Sequence, residues 1–151
     1  MSASVTAKLS RADLDKAIRE AETALARFGV QDRFTVKIKP ARKGEWIGMY
    51  RSRTQFHGHR LPIFWISEAA PRIAKATGWS LHRALVSTLL HEYGHVIYEW
   101  AKLESPALMQ DIENITDDEE DFAETFGIAA MNGASSPAYR KIAARYFEEA
   151  S

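Results

Sequence analysis

The sequence predicts an α+β fold, in which a small antiparallel or mixed sheet follows an N-terminal helix and is itself followed by several helices. Apolar residues recur with helical spacing at both ends of the chain, whereas period-two alternation typical of strands is confined to the middle. Strands segregated from helices in this way are the mark of the α+β class. With 151 residues, 46% of them hydrophobic and 26% charged, we expect one domain over residues 1–151.

The first helix is predicted over residues 10–28, because Ser10 can cap its start and Gly29 follows its last apolar residue. The apolar positions between them recur at close to 3.6 residues. Residues 33–39 then alternate with period two and stop at Pro40, which predicts the first strand.

Two further strands are predicted over residues 45–51 and 61–66. The segment His57-Gly58-His59 between them reads as a turn, although its two histidines could instead form a separate metal clip. We favour the turn. Pro62 predicts that the last strand begins at a sheet edge, since proline cannot donate a ladder hydrogen bond.

The C-terminal half is predicted to be helical. Capping residues and proline-free apolar runs mark a long helix from Ser80 onward and an acidic helix that ends before Gly133. The four predicted helices cover residues 80–102, 105–113, 117–132 and 137–149.

The helix predicted from Ser80 onward contains the sequence His91-Glu92-Tyr93-Gly94-His95. Because a helix repeats every 3.6 residues, His91 and His95 lie on the same face. Two histidines at this spacing with a glutamate between them are typical of a zinc site in which Glu92 is the general base. A catalytic zinc also needs a third protein ligand and an open position for water.

The acidic helix offers that third ligand. Glu120 and Glu124 share one of its faces, and its apolar stripe can pack against the histidine helix. We assign Glu120 to the metal and Glu124 to orienting His91 or His95. The neighbouring Glu119 and Asp121 remain alternatives, and so does a solvated helix start favoured by the helix dipole.

HEYGH followed by EDFAETF resembles the gluzincin pattern, and more narrowly the catalytic domain of anthrax lethal factor and its relatives. The resemblance covers residues 80–131 and implies a minimal zincin-like fold, one zinc per chain, Glu120 as the third ligand and peptidase activity. The tyrosine that stabilises the oxyanion in that family has no counterpart shortly before Glu120. The oxyanion donor is therefore unknown, and Tyr98, Tyr139 and Tyr146 are the candidates. Metzincins are excluded, since Tyr98 and Ala101 stand where they have glycine and a third histidine.

An edge strand beside the active-site helix could hold an extended peptide by main-chain pairing. A buried core strand is the alternative for the same segment. The candidate residues for binding substrate are Pro62, Ile63, Phe64, Trp65 and Ile66.

Composition limits the remaining possibilities. The chain has no cysteine, so a zinc site must use His, Asp or Glu. No apolar run suits a signal peptide or a membrane span, so we expect a cytoplasmic peptidase that acts on a peptide or protein and not at a membrane.

Charge is unevenly distributed: residues 1–60 carry 13 Lys and Arg against 6 Asp and Glu, and the remainder carries 7 against 14. The basic half could bind nucleic acid or an acidic protein. The acidic run in residues 111–121 can equally complement that half, so we rank nucleic-acid binding below the peptidase. The competing class is a non-catalytic, zinc-stabilised interaction module.

Overall fold

The computed structural model describes residues 8–33, 35–40, 48–50, 63–133 and 136–150. The elements, in chain order, are α1 (Arg11–Arg27), β1 (Thr35–Lys39), β2 (Gly48–Tyr50), β3 (Ile63–Ser67), α2 (Ala70–Thr77), α3 (Leu81–Glu104), α4 (Pro106–Glu113), α5 (Glu119–Asn132) and α6 (Pro137–Ala150). The predicted α+β class is confirmed.

The predicted first helix is confirmed as α1. Its N-cap Ser10 accepts a hydrogen bond from the backbone N–H of Asp13 at 3.1 Å, which satisfies one of the donors that a helix start leaves open. The chain leaves the helix through Gly29, whose φ of 84° suits a residue without a side chain. The buried face of α1 contacts α3.

The sheet is mixed, with strand order β1-β3-β2. β2 pairs with β3 antiparallel, as expected for strands joined by a turn, but β1 pairs with β3 in parallel, from Thr35 opposite Ile63 to Lys39 opposite Ser67. Of the two predicted forms, the mixed sheet is the one observed and the antiparallel sheet is wrong. The sequence left both open, because period-two alternation shows which residues share a face and not the direction of the neighbouring strand. The turn at His57-Gly58-His59 lies outside the described residues.

The expectation that the last strand lies at a sheet edge was also wrong. β3 is the central strand of the described sheet, paired on one side with β1 and on the other with β2. The described strand begins at Ile63, and Pro62, which suggested the edge, lies outside the described residues. Phe64 and Ile66 are completely buried, so this segment is the core strand of the alternative interpretation.

α3 lies at the centre of the helical part, with contacts to α1, α2, α4, α5, α6 and β2. Its most extensive packing is against α5. Aromatic rings from α5 fill the core behind it: Phe122 and Phe126 are fully buried and stack at a centroid distance of 5.8 Å. The two helices that carry the candidate metal ligands are thus held together by apolar packing.

One helix was not predicted. α2 has Pro71 in its first turn and ends at Gly78, whose φ is 80°. These are ordinary start and stop signals, so the sequence did contain the information. Among the described helices none is long and apolar enough to cross a membrane.

Candidate metal centre

α3 presents the two histidines of the motif on one face. Ser80 caps the helix by accepting a hydrogen bond from the backbone N–H of Arg83 at 3.2 Å, and the helix then continues through the motif to Glu104. The side chains of His91 and His95 are half-buried, with 26% and 17% of their surface exposed. The motif therefore points two imidazoles toward a partly enclosed space beside α5.

Glu120 of α5 reaches both histidines. Its Oε1 lies 2.8 Å from Nε2 of His91, and its Oε2 lies 3.2 Å from Nε2 of His95. The two Nε2 atoms are themselves 3.2 Å apart. Ligand atoms of three side chains on two helices therefore converge, although Glu120 lies 25 positions after His95 and 29 positions after His91 in sequence.

This arrangement fits a zinc ion. In a tetrahedral site with metal bonds of about 2.0–2.2 Å, neighbouring ligand atoms lie about 3.3 Å apart. The observed spacings of 2.8 and 3.2 Å are slightly shorter, and small rotations of the three side chains would open them with both helix backbones in place. Two imidazole nitrogens with one carboxylate are a donor set that zinc uses in hydrolases, and this set leaves one corner for water.

Glu92 is the second carboxylate near the histidines. It is buried, with 8% exposed, and it can bring a carboxylate oxygen within 4.8 Å of ligand atoms of both His91 and His95. Glu120, although its side chain is 68% exposed, comes closer to both imidazoles. We therefore assign the ligand role to Glu120, and Glu92 remains beside the site as a sheltered carboxylate.

The orienting role falls to Glu119 and not to Glu124. Oε2 of Glu119 lies 2.7 Å from Nδ1 of His95, so a carboxylate holds this ring with its Nε2 turned toward Glu120. Glu124 is exposed, and no hydrogen bond or ion pair within the described part of the chain joins it to His91 or His95. The described contacts therefore favour Glu119 over Glu124 as the carboxylate that orients a histidine.

The direction of α5 explains this difference. Gly94 of α3 lies against Ala123, and His91 lies against Gly127, so α5 runs antiparallel to α3. The start of α5 consequently meets the end of the motif. Asp118 fixes where the helix begins, since its side chain accepts a hydrogen bond from the backbone N–H of Asp121 at 2.8 Å.

Acidic groups determine the protonation of His95. Burial lowers its pKa, but the hydrogen bond to Glu119 and the charges of Glu92, Glu119 and Glu120 outweigh burial, so the pKa of His95 is raised. A site with this much negative charge favours a bound cation, whether a proton or a metal ion. Zinc competes with that proton for the imidazole.

Of the three tyrosines considered as oxyanion donors, two are engaged elsewhere. The hydroxyl of Tyr139 lies 2.6 Å from Oγ1 of Thr125, and Tyr146 is buried against Trp100 and Tyr93. Tyr98 lies one turn beyond His95, and burial together with nearby acidic residues raises the pKa of its hydroxyl. It therefore stays protonated and able to donate, which leaves Tyr98 as the candidate for this role.

β3, the strand expected to bind substrate, is not placed to pair with a peptide. The backbone of β3 pairs with β1 from Ile63 onward and with β2 over Phe64, Trp65 and Ile66. These three residues do not offer a free edge to a peptide, and Pro62 lies outside the described residues. Of the described strands, β2 has the most extensive contact with α3. Any main-chain pairing with a substrate must use a strand other than β3.

Comparisons of the chain with known protein families, with curated proteins and with solved structures found no match. Its function is therefore argued from the geometry of this site.

Proposed function

We propose that the chain is a zinc-dependent peptidase that acts on a peptide or protein in the cytoplasm. The observation that supports the proposal best is the convergence of His91, His95 and Glu120 at 2.8 to 3.2 Å from one another. A zinc ion bound there would lower the pKa of a coordinated water to about 7 and polarise a scissile carbonyl.

Glu92 supplies the general base in this proposal. Its carboxylate can lie within 4.8 Å of ligand atoms of both histidines, where it would be within reach of a water on a bound zinc ion. Because it is buried at 8% exposure, it is sheltered from bulk water. It accepts the proton of the attacking water and passes it to the leaving amine.

The competing proposal is a non-catalytic module in which zinc holds α3 and α5 together while the basic half of the chain binds a protein or nucleic acid. The packing weighs against it. α5 already buries Phe122 and Phe126 completely and approaches α3 so closely that an alanine Cβ at Gly94 would lie 2.7 Å from the Cα of Ala123. A pair of helices packed this tightly has little need of a metal to join them.

Replacing Glu92 by glutamine distinguishes the peptidase from the non-catalytic module. Glutamine keeps the size of the side chain but cannot accept the proton, so we expect Glu92→Gln to retain one zinc per chain and to lose hydrolysis by at least about 100-fold. Metal analysis gives the zinc content, and peptide products from a proteome-derived library, with and without a chelator, give the activity.

Glu99→Gln is the matched control, because it makes the same chemical change on the same helix, at a half-buried residue two turns further on. It should keep wild-type hydrolysis. Equal cleavage by wild type and Glu92→Gln, or no cleavage by a zinc-loaded wild type, would favour the module instead. A wild-type protein that binds no zinc would refute both.

A further inference from the structure

Two glycines lie where α3 and α5 cross. Gly94 is inside the HEYGH motif, and Gly127 is in the second half of α5. Glycine in the interior of a helix is less favourable than alanine, so each of these positions calls for a packing reason. The structure supplies one, since each glycine lies directly against the opposite helix.

The contact at Gly127 is with the backbone of a candidate metal ligand. A Cβ at this position would lie 3.3 Å from the backbone nitrogen of His91 and 3.4 Å from its Cα. Helix backbone is stiff, so α5 would have to move away by a few tenths of an ångström to relieve this contact. Such a movement is of the same size as the tolerance of a metal site, in which ligand distances hold to within about 0.2 Å.

The same crossing determines the reach of Glu120. This residue lies seven positions, or about two turns, before Gly127 on nearly the same face of α5, and its carboxylate spans the gap to His91 and His95 at 2.8 and 3.2 Å. If α5 retreats, Glu120 is withdrawn from both imidazoles together. His91 and His95 keep their relative positions, because both are on α3.

We propose that Gly127 is a positioning residue of the metal site: by leaving room for the His91 backbone, it sets the distance between α3 and α5 at which Glu120 completes the ligand set. This inference rests on the proposed zinc site, but not on peptidase activity. Gly94, whose Cβ would come within 2.7 Å of the Cα of Ala123, maintains the same spacing further along the crossing.

The test is the zinc affinity of Gly127→Ala, measured by competition with a chromophoric chelator. We expect at least about a 10-fold loss, the smaller end of the range for residues that orient ligands. Asn132→Ala is the matched control. It places alanine at an exposed position of the same helix, where nothing has to move, so zinc affinity should not change.

A double-mutant cycle with Glu120→Ala identifies the route of the effect. If Gly127 acts by placing Glu120, Gly127→Ala should cost little further affinity once Glu120 has been removed. An equal loss in both backgrounds would overturn the proposal, because the effect would then come from His91 alone. Circular dichroism of the metal-free variants would check that the helices are intact.

Two other results would also decide the question. The proposal would be overturned if Gly127→Ala were more heat-stable than the wild type and bound zinc with unchanged affinity. Alanine would then simply be the better helix former at this position. A wild-type protein that binds no zinc would refute the metal site itself, and this result is distinct from normal zinc binding that is insensitive to residue 127.

Discussion

Glu119 shows what a single side chain contributes to this site. It does not reach the point where the ligand atoms converge, yet its carboxylate holds Nδ1 of His95 at 2.7 Å. In the neutral imidazole, a proton on Nδ1 that is donated to this carboxylate leaves the lone pair on Nε2, the atom that faces Glu120. The residue thereby fixes both the tautomer and the orientation of the ring.

We therefore predict that Glu119→Ala weakens zinc binding about 10- to 100-fold. Glu119→Gln should retain more affinity, because its amide oxygen can still accept the hydrogen bond from Nδ1. Glu124→Ala should bind zinc like the wild type, since that side chain is exposed. Chelator competition measures all three affinities, and a large loss at Glu124 with none at Glu119 would restore the assignment made from sequence.

The sequence could identify the histidines but not this carboxylate. His91 and His95 follow from one periodicity on one helix. Five acidic residues in succession, from Asp117 to Asp121, are all favoured near a helix start by the dipole, so composition does not distinguish them. Their roles depend on the rotational phase of α5, which Asp118 sets as the N-cap, and on the side from which α3 approaches.

At the scale of elements, the start of α5 is part of the site, because Glu119 and Glu120 are its first two residues. We predict that Asp118→Ala destabilises the protein by about 1 kcal/mol and also weakens zinc binding, since the first turn that carries both glutamates loosens. Ser80→Ala is the control: it removes the N-cap of α3 at a similar cost in stability, but eleven residues before His91. Thermal unfolding and zinc titration of both variants check the prediction. Equal zinc affinity in the two variants would contradict it.

Element boundaries were predictable and sheet order was not. Capping residues and glycines placed α1, α3, α4, α5 and α6 within one or two residues of their ends, and the differences of two residues are at the end of α3 and the start of α5. These are local signals. The parallel pairing of β1 with β3 joins residues far apart in sequence. The sequence pattern within either strand does not predict which strand it pairs with.

At the scale of the whole molecule, Tyr93 joins three distant parts of the chain. It is fully buried on the side of α3 away from the histidines, and its hydroxyl donates a hydrogen bond of 2.6 Å to Asp32, in the connection between α1 and β1. Its ring meets Tyr146 of α6 edge to face at 5.9 Å. The motif helix is thus tied both to the connection between α1 and β1 and to the last helix.

Because of the contact between Tyr93 and Asp32, the free energy of unfolding should depend on pH in the alkaline range. Burial, followed by the charges of Tyr146 and Asp32, raises the pKa of Tyr93 well above its ordinary value of 10.0. A group whose pKa is raised on folding stabilises the protein fully below the pKa of the unfolded state. That contribution disappears as the pH rises from about 10 toward the pKa of the folded state.

We predict that the stability of the wild type falls above about pH 10. The stability of Tyr93→Phe should fall less steeply over the same interval. At neutral pH this variant should be less stable by about 1–3 kcal/mol, because Asp32 loses a buried donor. Tyr139→Phe is the control, since its hydroxyl bonds the neutral Thr125, and it should follow the wild-type pH profile. Urea unfolding at a series of pH values measures each slope. If the stability of Tyr93→Phe declines with pH as steeply as that of the wild type, another group causes the alkaline transition. Tyr146 is then the next residue to replace, because burial also raises its pKa.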